Sequence, residues 1–325
     1  MLGKIRRFLA GNLSRSSGAS AVIDSRFDVV SSLWKKRAED LASAARPTAW
    51  SDSPLIHEMY IQPLLSGDLK LGWMEYVSRV YFPKPLPRAL SLGCGGGALE
   101  RHGLLLNIAR HFKGIDVSEG ALELARKTAL EKRCNRSIDY EAADLNALVL
   151  PENEYDTVFA SQSVHHIEAL EHYFDQVRRT LKPGGLFVLN EFVGPNQFQW
   201  TDVQVSHAQR LLDELPGKYR QSLRGNGLKT VIHRPSIEEM NRVDHTEAIR
   251  SRDILPELEK RFEIVERRDF GGTLLMLVLD DIAGNFYDTP QDRALLKRMC
   301  DEEQRLFATG ELSSDFTLLI VRNVK

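Results

Sequence analysis

The chain has 325 residues, 42% of them hydrophobic, and a formal net charge of −2. That length suits one large elaborated domain or two modest ones with a real core, and the near-neutral charge gives no electrostatic case for bulk binding to nucleic acid. Cys94, Cys134 and Cys300 lie far apart and outside any CxxC or Cys/His cluster, which argues against a disulfide framework or a zinc site, so no metal is expected.

The chain begins MLGKIRRFLAGNLSRSSG, which is basic and loosely amphipathic through Leu2, Ile5, Phe8, Leu9 and Leu13. Such a stretch can rest on an acidic membrane surface, but its apolar runs are too short for a secretory signal. No apolar run approaches the roughly 20 residues of a membrane span. The expectation is a flexible tail over 1–20 on a cytoplasmic protein with no integral membrane association. Residues 21–84 read as a helical cap broken at Pro47, Pro54 and Pro63. Pro83, Pro85 and Pro87 then stiffen an extended entry to the next domain.

From residue 85 short β runs alternate with helices. Strands are expected at 88–93, 112–117, 138–144, 155–163 and 186–193, with helices such as EGALELARKTALEKR and LEHYFDQVRRTL between them. Strands separated by single helices predict parallel pairing with right-handed crossovers. LKPGG (181–185) supplies a helix stop and a tight turn before the fifth strand. An insertion over 194–260 reads as helical and irregular, and Ser236 with Glu239 forms a capping box that should open a helix. Two further strands are expected at 262–270 and 315–323, with helices over 271–310 between them. The predicted architecture is an α/β doubly wound, seven-stranded, mostly parallel sheet.

The sharpest chemical signal is LSLGCGGGALE (90–100), where a strand must turn abruptly into a helix. Glycine there permits positive φ and leaves the amides open to a ligand. The loop alone also passes for a dinucleotide fingerprint. Asp116 ends the second strand in GIDVS, where a carboxylate accepts ribose hydroxyls, and Asp144 ends the third in EAADL, where it can read an adenine amino group. YDTVFASQSVHHI and LKPGGLFVLNE follow on strands four and five.

Taken together, residues 86–193 resemble the class I S-adenosylmethionine (SAM)-dependent methyltransferases. The resemblance implies that Gly93, Cys94, Gly95 and Gly97 lie against the methionine part and ribose of SAM. It implies Asp116 on the ribose with Val117 beside the adenine, Asp144 and Leu145 at the adenine, and Ser161 facing the cofactor. Family members often carry an acid two residues before the first glycine. Here that position is Ser91, so weaker anchoring of the loop is expected.

Methyl transfer is an in-line displacement in which positioning does much of the work. A hydroxyl acceptor also needs a base, and His165 and His166, at the carboxyl end of strand four, are the candidates. Glu191, after them in the chain, is the next. One histidine of such a pair commonly shapes the pocket instead.

The acceptor is expected to be a small molecule or glycan. The [DNS]-P-P-[YFW] motif of base amino-methylation is replaced by Ser161-Gln162-Ser163-Val164, and no Pro-Cys pair for cytosine methylation exists. Residues 216–235 contain no acid but carry Lys218, Arg220, Arg224, Lys229 and Arg234, a patch suited to a negative group. Trp50, Tyr60, Phe198 and Trp200 are aromatic residues that could stack on a sugar or ring. NEFVGPNQFQWTD (190–202) resembles methyltransferases of bacterial surface-polysaccharide synthesis. Two rival classes share the loop: an NAD(P)-dependent oxidoreductase, disfavoured because no Tyr-x-x-x-Lys pair is present, and a SAM-binding module without catalysis.

Overall fold

Seven β-strands form one sheet in the order β3-β2-β1-β4-β5-β7-β6. The computed structural model describes residues 46–324, so the expected tail at 1–20 and the first part of the helical cap lie outside the described residues. The strands are β1 (Leu86–Leu92), β2 (Ala109–Asp116), β3 (Ile138–Ala142), β4 (Tyr155–Ser161), β5 (Leu181–Phe192), β6 (Glu263–Gly271) and β7 (Phe316–Arg322). The first five pair in parallel, and β7 runs antiparallel between β5 and β6. The seven predicted strands are therefore all present.

The strands alternate between two apolar layers, as a sheet covered on both faces requires. Ala89, Phe112, Phe159 and Val188 face one core, and Leu90, Ile115, Val158 and Phe187 face the other. The LKPGG turn falls inside β5. Tyr155 pairs with Leu181 but Thr157 pairs with Leu186, so the residues between bulge outward around Gly184 at φ +73°.

Helix α1 (Trp73–Tyr81) precedes β1, and α2 (Ala98–Leu105), α3 (Glu119–Glu131) and α4 (Leu170–Thr180) fill the crossovers from β1 to β2, β2 to β3 and β4 to β5. The insertion after β5 carries α5 (Asp202–Asp213), α6 (Ile237–Asp244) and α7 (Ile254–Glu259). Ser236 and Glu239 close the predicted capping box on α6. A second box, Thr201 with Gln204, opens α5 and was not anticipated. After β6 come α8 (Leu275–Leu279) and the long α9 (Pro290–Ala308). Among the described residues, no helix is long and apolar enough to cross a membrane.

The described part of the N-terminal segment is welded to the sheet. Tyr76 and Tyr81 donate their hydroxyls to Glu266 of β6 at 2.8 and 2.7 Å, and Tyr60 donates to Glu303 of α9 at 2.8 Å. Strand order places a topological switch between β1 and β4, since β2 and β3 extend to one side of β1 and β4 to the other. A crevice at the carboxyl ends of those strands is where open α/β sheets take ligands.

One buried acid makes stability depend on pH. Asp315, at the entry to β7, is pushed up to about 8, first by burial and then by the charge of Glu303. Its folded pKa lies above the unfolded value, so its contribution is fully present below about pH 4 and is lost as pH rises through about 8. We expect Asp315→Asn to flatten this loss, gaining stability over the parent by a few kcal/mol at most between pH 5 and 8.5. Denaturant midpoints at both pH values check it; an unchanged difference between the two proteins would rule out the assignment.

Candidate active site

The turn out of β1 is set by backbone bonds. The amides of Gly93 and Cys94 both donate to the Ile115 carbonyl of β2, at 2.8 and 3.1 Å. Gly93 has φ +72°, and a Cβ there would run into the Ser163 side chain, so the loop after β4 can close on it only if position 93 is glycine. Gly95 has φ +50° for a different reason: nothing lies within 4 Å of where its Cβ would be, and the backbone borders open space. A side chain would fill that space. Gly97 opens α2.

Asp116 ends β2 and holds this loop. Its Oδ2 accepts from Gly95 N–H at 2.7 Å and its Oδ1 from Ser118 N–H at 2.8 Å. Burial raises its pKa, and the amides of Ser118, Gly95 and Val117 oppose the rise. Each carboxylate oxygen keeps a second lone pair, enough for a diol. The anchoring expected to be weak because of Ser91 is thus supplied from β2. Ser91 itself is buried beside Glu100 of α2, whose carboxyl is pushed up to about 7 by burial against the opposing effect of the Ser91 hydroxyl.

Asp144 is exposed beyond β3, with Oδ1 accepting both the backbone and side-chain nitrogens of Asn146 at 2.9 and 3.0 Å. Leu145 beside it is buried, Val117 is half-buried, and Ser161 is the last residue of β4. The Cys94 thiol is buried and held well above its ordinary pKa, first by burial and then by Glu100 and Asp116, so it is no nucleophile at neutral pH. The open cradle at Gly95, the spare acceptors of Asp116 and the exposed Asp144 fit the ribose and adenine of SAM, and all stand at adjoining strand ends.

Next to them, after β4, lies a buried cluster of histidines and carboxylates. Glu191 of β5 is fully buried, and its Oε2 accepts from Ser163 N–H and Val164 N–H at 2.9 and 2.7 Å. Its Oε1 accepts from Phe192 N–H at 2.8 Å and from His165 Nδ1. A carboxylate so committed cannot serve as the expected base; it orients His165 and folds the loop. His165 is fully buried, with Nε2 at 3.4 Å from Glu247 Oε1. Burial would lower its pKa, but Glu191 and Glu247 outweigh that and lift it to about 9. At neutral pH it already carries its proton, so it is not the base that the sequence suggested.

His166 differs. It is half-buried, its ring centroid is 4.3 Å from that of His165, and its Nδ1 lies 3.0 Å from Thr246 Oγ1. Thr246 donates to Asp244 Oδ1 at 2.7 Å, so the His166 Nδ1 supplies the proton in its own bond and its Nε2 keeps the lone pair. Glu247, Thr246 and Asp244 were missed in the sequence because they belong to the insertion. The Ile249 amide donates to the His165 carbonyl at 3.1 Å and brings them in. Ala248 holds an unusual φ of +53° at this clip, strain of a kind that gathers at functional sites.

The expected acceptor groups are placed differently from the sequence reading. Trp50, Tyr60, Phe198 and Trp200 are buried. Trp50 packs edge-on to Phe316 at 5.3 Å, and Phe198 stacks on Trp200 at 5.0 Å. Their faces are used within the protein rather than offered to a ring. The basic stretch is also largely neutralised from elsewhere in the chain. Arg224 pairs with Asp280 at 2.8 Å, and Lys229 donates to the carbonyls of Leu277, Val278 and Asp280. Arg234 pairs with Asp202 at 2.8 Å. Arg220 is half-buried and makes no ion pair with a described residue. Arg224→Ala should therefore cost roughly 1–2 kcal/mol by stranding Asp280. A shifted urea midpoint with unaltered SAM affinity would be the result; no shift would mean the pair is solvated surface.

Residues 90–189 match a family model described as a methyltransferase domain. The 27-O-demethylrifamycin SV methyltransferase of Amycolatopsis mediterranei is 32% identical over 106 residues, covering 33% of this chain and 39% of that protein. The ubiquinone biosynthesis O-methyltransferase of Dinoroseobacter shibae is 26% identical over 171 residues, covering 52% of this chain and 67% of that one. The chain spans only 21–43% of the length of the first curated relatives it matches. In fold, it is similar to a geranyl diphosphate C-methyltransferase from Streptomyces coelicolor A3(2), with a TM-score of 0.52 at 12% identity over 92% of this chain and 98% of that one.

Proposed function

We propose, given that this chain belongs to the class I SAM-dependent methyltransferases through its residues 90–189, that it transfers the methyl group of SAM to a hydroxyl oxygen of a small-molecule or glycan acceptor. The observation that carries the reading is the juxtaposition of two sites. The ribose- and adenine-binding groups stand at the ends of β1 to β3, and a proton-handling cluster of two histidines and two glutamates stands at the ends of β4 and β5. SAM supplies an electrophilic methyl. The acceptor oxygen forms the C–O bond as the C–S bond breaks, S-adenosylhomocysteine leaves, and the hydroxyl proton passes to the His166–Glu247 end of the cluster. The chain's share is orientation and exclusion of water.

The acceptor would approach under the insertion, with Arg220 as the remaining basic group for a negative substituent. The segment from Glu191 to Trp200 forms the wall behind His165, and its likeness to polysaccharide-pathway enzymes supports a sugar hydroxyl. Cys94, Cys134 and Cys300 are free thiols, which supports a reducing, cytoplasmic setting. The test is calorimetry with SAM and S-adenosylhomocysteine, followed by methyl-labelled SAM turnover against pooled hydroxylated sugars and small phenols. Micromolar binding with label in an alkali-stable ether supports the reading. Binding of NAD without SAM, or label found only on nitrogen or carbon, would overturn it.

A further inference from the structure

We propose that His165, His166 and Glu247 form a binding site for one divalent transition-metal cation of the Zn2+ type. The inference deepens the reading above and rests on it, because the site is the cluster to which the acceptor proton was assigned. Each residue offers one donor atom, and the three donors all lie within 4.8 Å of one another. Two imidazole nitrogens and a carboxylate oxygen are a donor set that suits borderline metals such as Zn2+ or Fe2+, with one or more positions left open.

Distance alone would be weak, but the surrounding hydrogen bonds have the pattern that metal-binding histidines need. His165 Nδ1 is bound to Glu191, and His166 Nδ1 to Thr246, itself bonded to Asp244. Both rings are therefore held from behind through Nδ1, which is how outer residues orient a ligating histidine. The His165 Nε2 to Glu247 Oε1 separation of 3.4 Å matches the edge of a tetrahedron with bonds of about 2.0–2.1 Å. Positive φ at Ala248 and the Ile249–His165 bond fix Glu247 in that position. Bound there, the ion would take the place of the proton that His165 otherwise carries between the buried Glu191 and Glu247.

An open fourth position would take an oxygen ligand, and a hydroxyl bound there is acidified. Held by His165, His166 and Glu247, such an ion would supply Lewis acidity towards an acceptor hydroxyl, lowering the cost of removing the proton that the methyl transfer releases.

The experiment uses the full chain, stripped with a chelator and dialysed, then titrated with Zn2+ and, for its visible spectrum, Co2+. We expect about one ion per chain and a Co2+ spectrum of low coordination number. His166→Ala and Glu247→Gln should each weaken Zn2+ binding at least 10–100-fold, and Thr246→Val, which touches no ion, by about tenfold. His207→Ala, at an exposed pair with Glu311, should leave it unchanged. SAM affinity is measured on the same samples. SAM binding without any Zn2+ or Co2+ binding overturns this inference and leaves the methyltransferase reading standing. So does metal binding that survives both ligand substitutions. Failure of the parent protein to bind SAM both stripped and loaded with Zn2+ would instead count against the cofactor site.

Discussion

His166→Ala is expected to lower turnover by about 10²–10⁴-fold, the usual cost of losing a group that manages the acceptor's proton, while SAM affinity stays close to that of the parent. The split follows from position. His166 is oriented by Thr246 and Asp244 of the insertion, whereas Gly95, Asp116 and Asp144, the residues proposed to hold SAM, stand at the ends of β1 to β3. His165→Ala should behave differently. It removes a buried imidazolium from between Glu191 and Glu247 and leaves carboxylates uncompensated, so stability falls along with rate. Single-turnover rates and calorimetry on both variants separate the cases. If His166→Ala weakened SAM binding as much as it slowed turnover, His166 would be a wall of the cofactor pocket and no more.

Asp116→Ala should weaken SAM binding by about 1.5–3 kcal/mol, the range for hydrogen bonds to a charged group, or roughly 10–150-fold in Kd. The structure makes this more than the loss of a ribose contact, because the same carboxylate fixes Gly95 and Ser118. Asparagine is no rescue. Its amide nitrogen would face one of the two backbone donors, so Asp116→Asn should recover only part of the affinity. Asp144→Ala should cost less, since Asp144 is exposed and the apolar Val117 and Leu145 are proposed to share the adenine with it. An Asp116→Ala protein with native spectra and parental SAM affinity would remove Asp116 from the cofactor site.

The sheet was legible because its signals are local. Period-two burial, single crossover helices and the glycine turn after Leu92 all lie within a few residues of what they determine. The positions of Asp116 and Asp144, at the end of β2 and just beyond β3, were legible for the same reason. What the sequence concealed depends on partners far along the chain. Glu191 looked like a base, but its lone pairs are filled by Ser163, Val164 and His165 across the strand. Residues 216–235 looked like an anion site because the acids that pair with Arg224 and Arg234 lie outside the stretch, Asp280 beyond β6 and Asp202 at the start of α5. Phe198 and Trp200 looked available because apolar spacing does not reveal that each is the other's stacking partner. Glu247 carried no motif and is defined only by the bond that brings Ile249 to His165.

The placement of β7 bears on how the molecule can be made. It lies between β5 and β6 although it follows both in the chain, so a ribosome delivers the two flanking strands well before the one that joins them. Until residues 316–322 emerge, β5 presents an apolar edge with unpaired amides, and β6 has no neighbour at all. Exposed edges of that kind recruit other chains, so the nascent protein should depend on chaperone shielding from the emergence of β5 until that of β7. A permuted gene that encodes the β7 segment directly after β5 would complete that edge at once, and its product should accumulate with less aggregation at high expression.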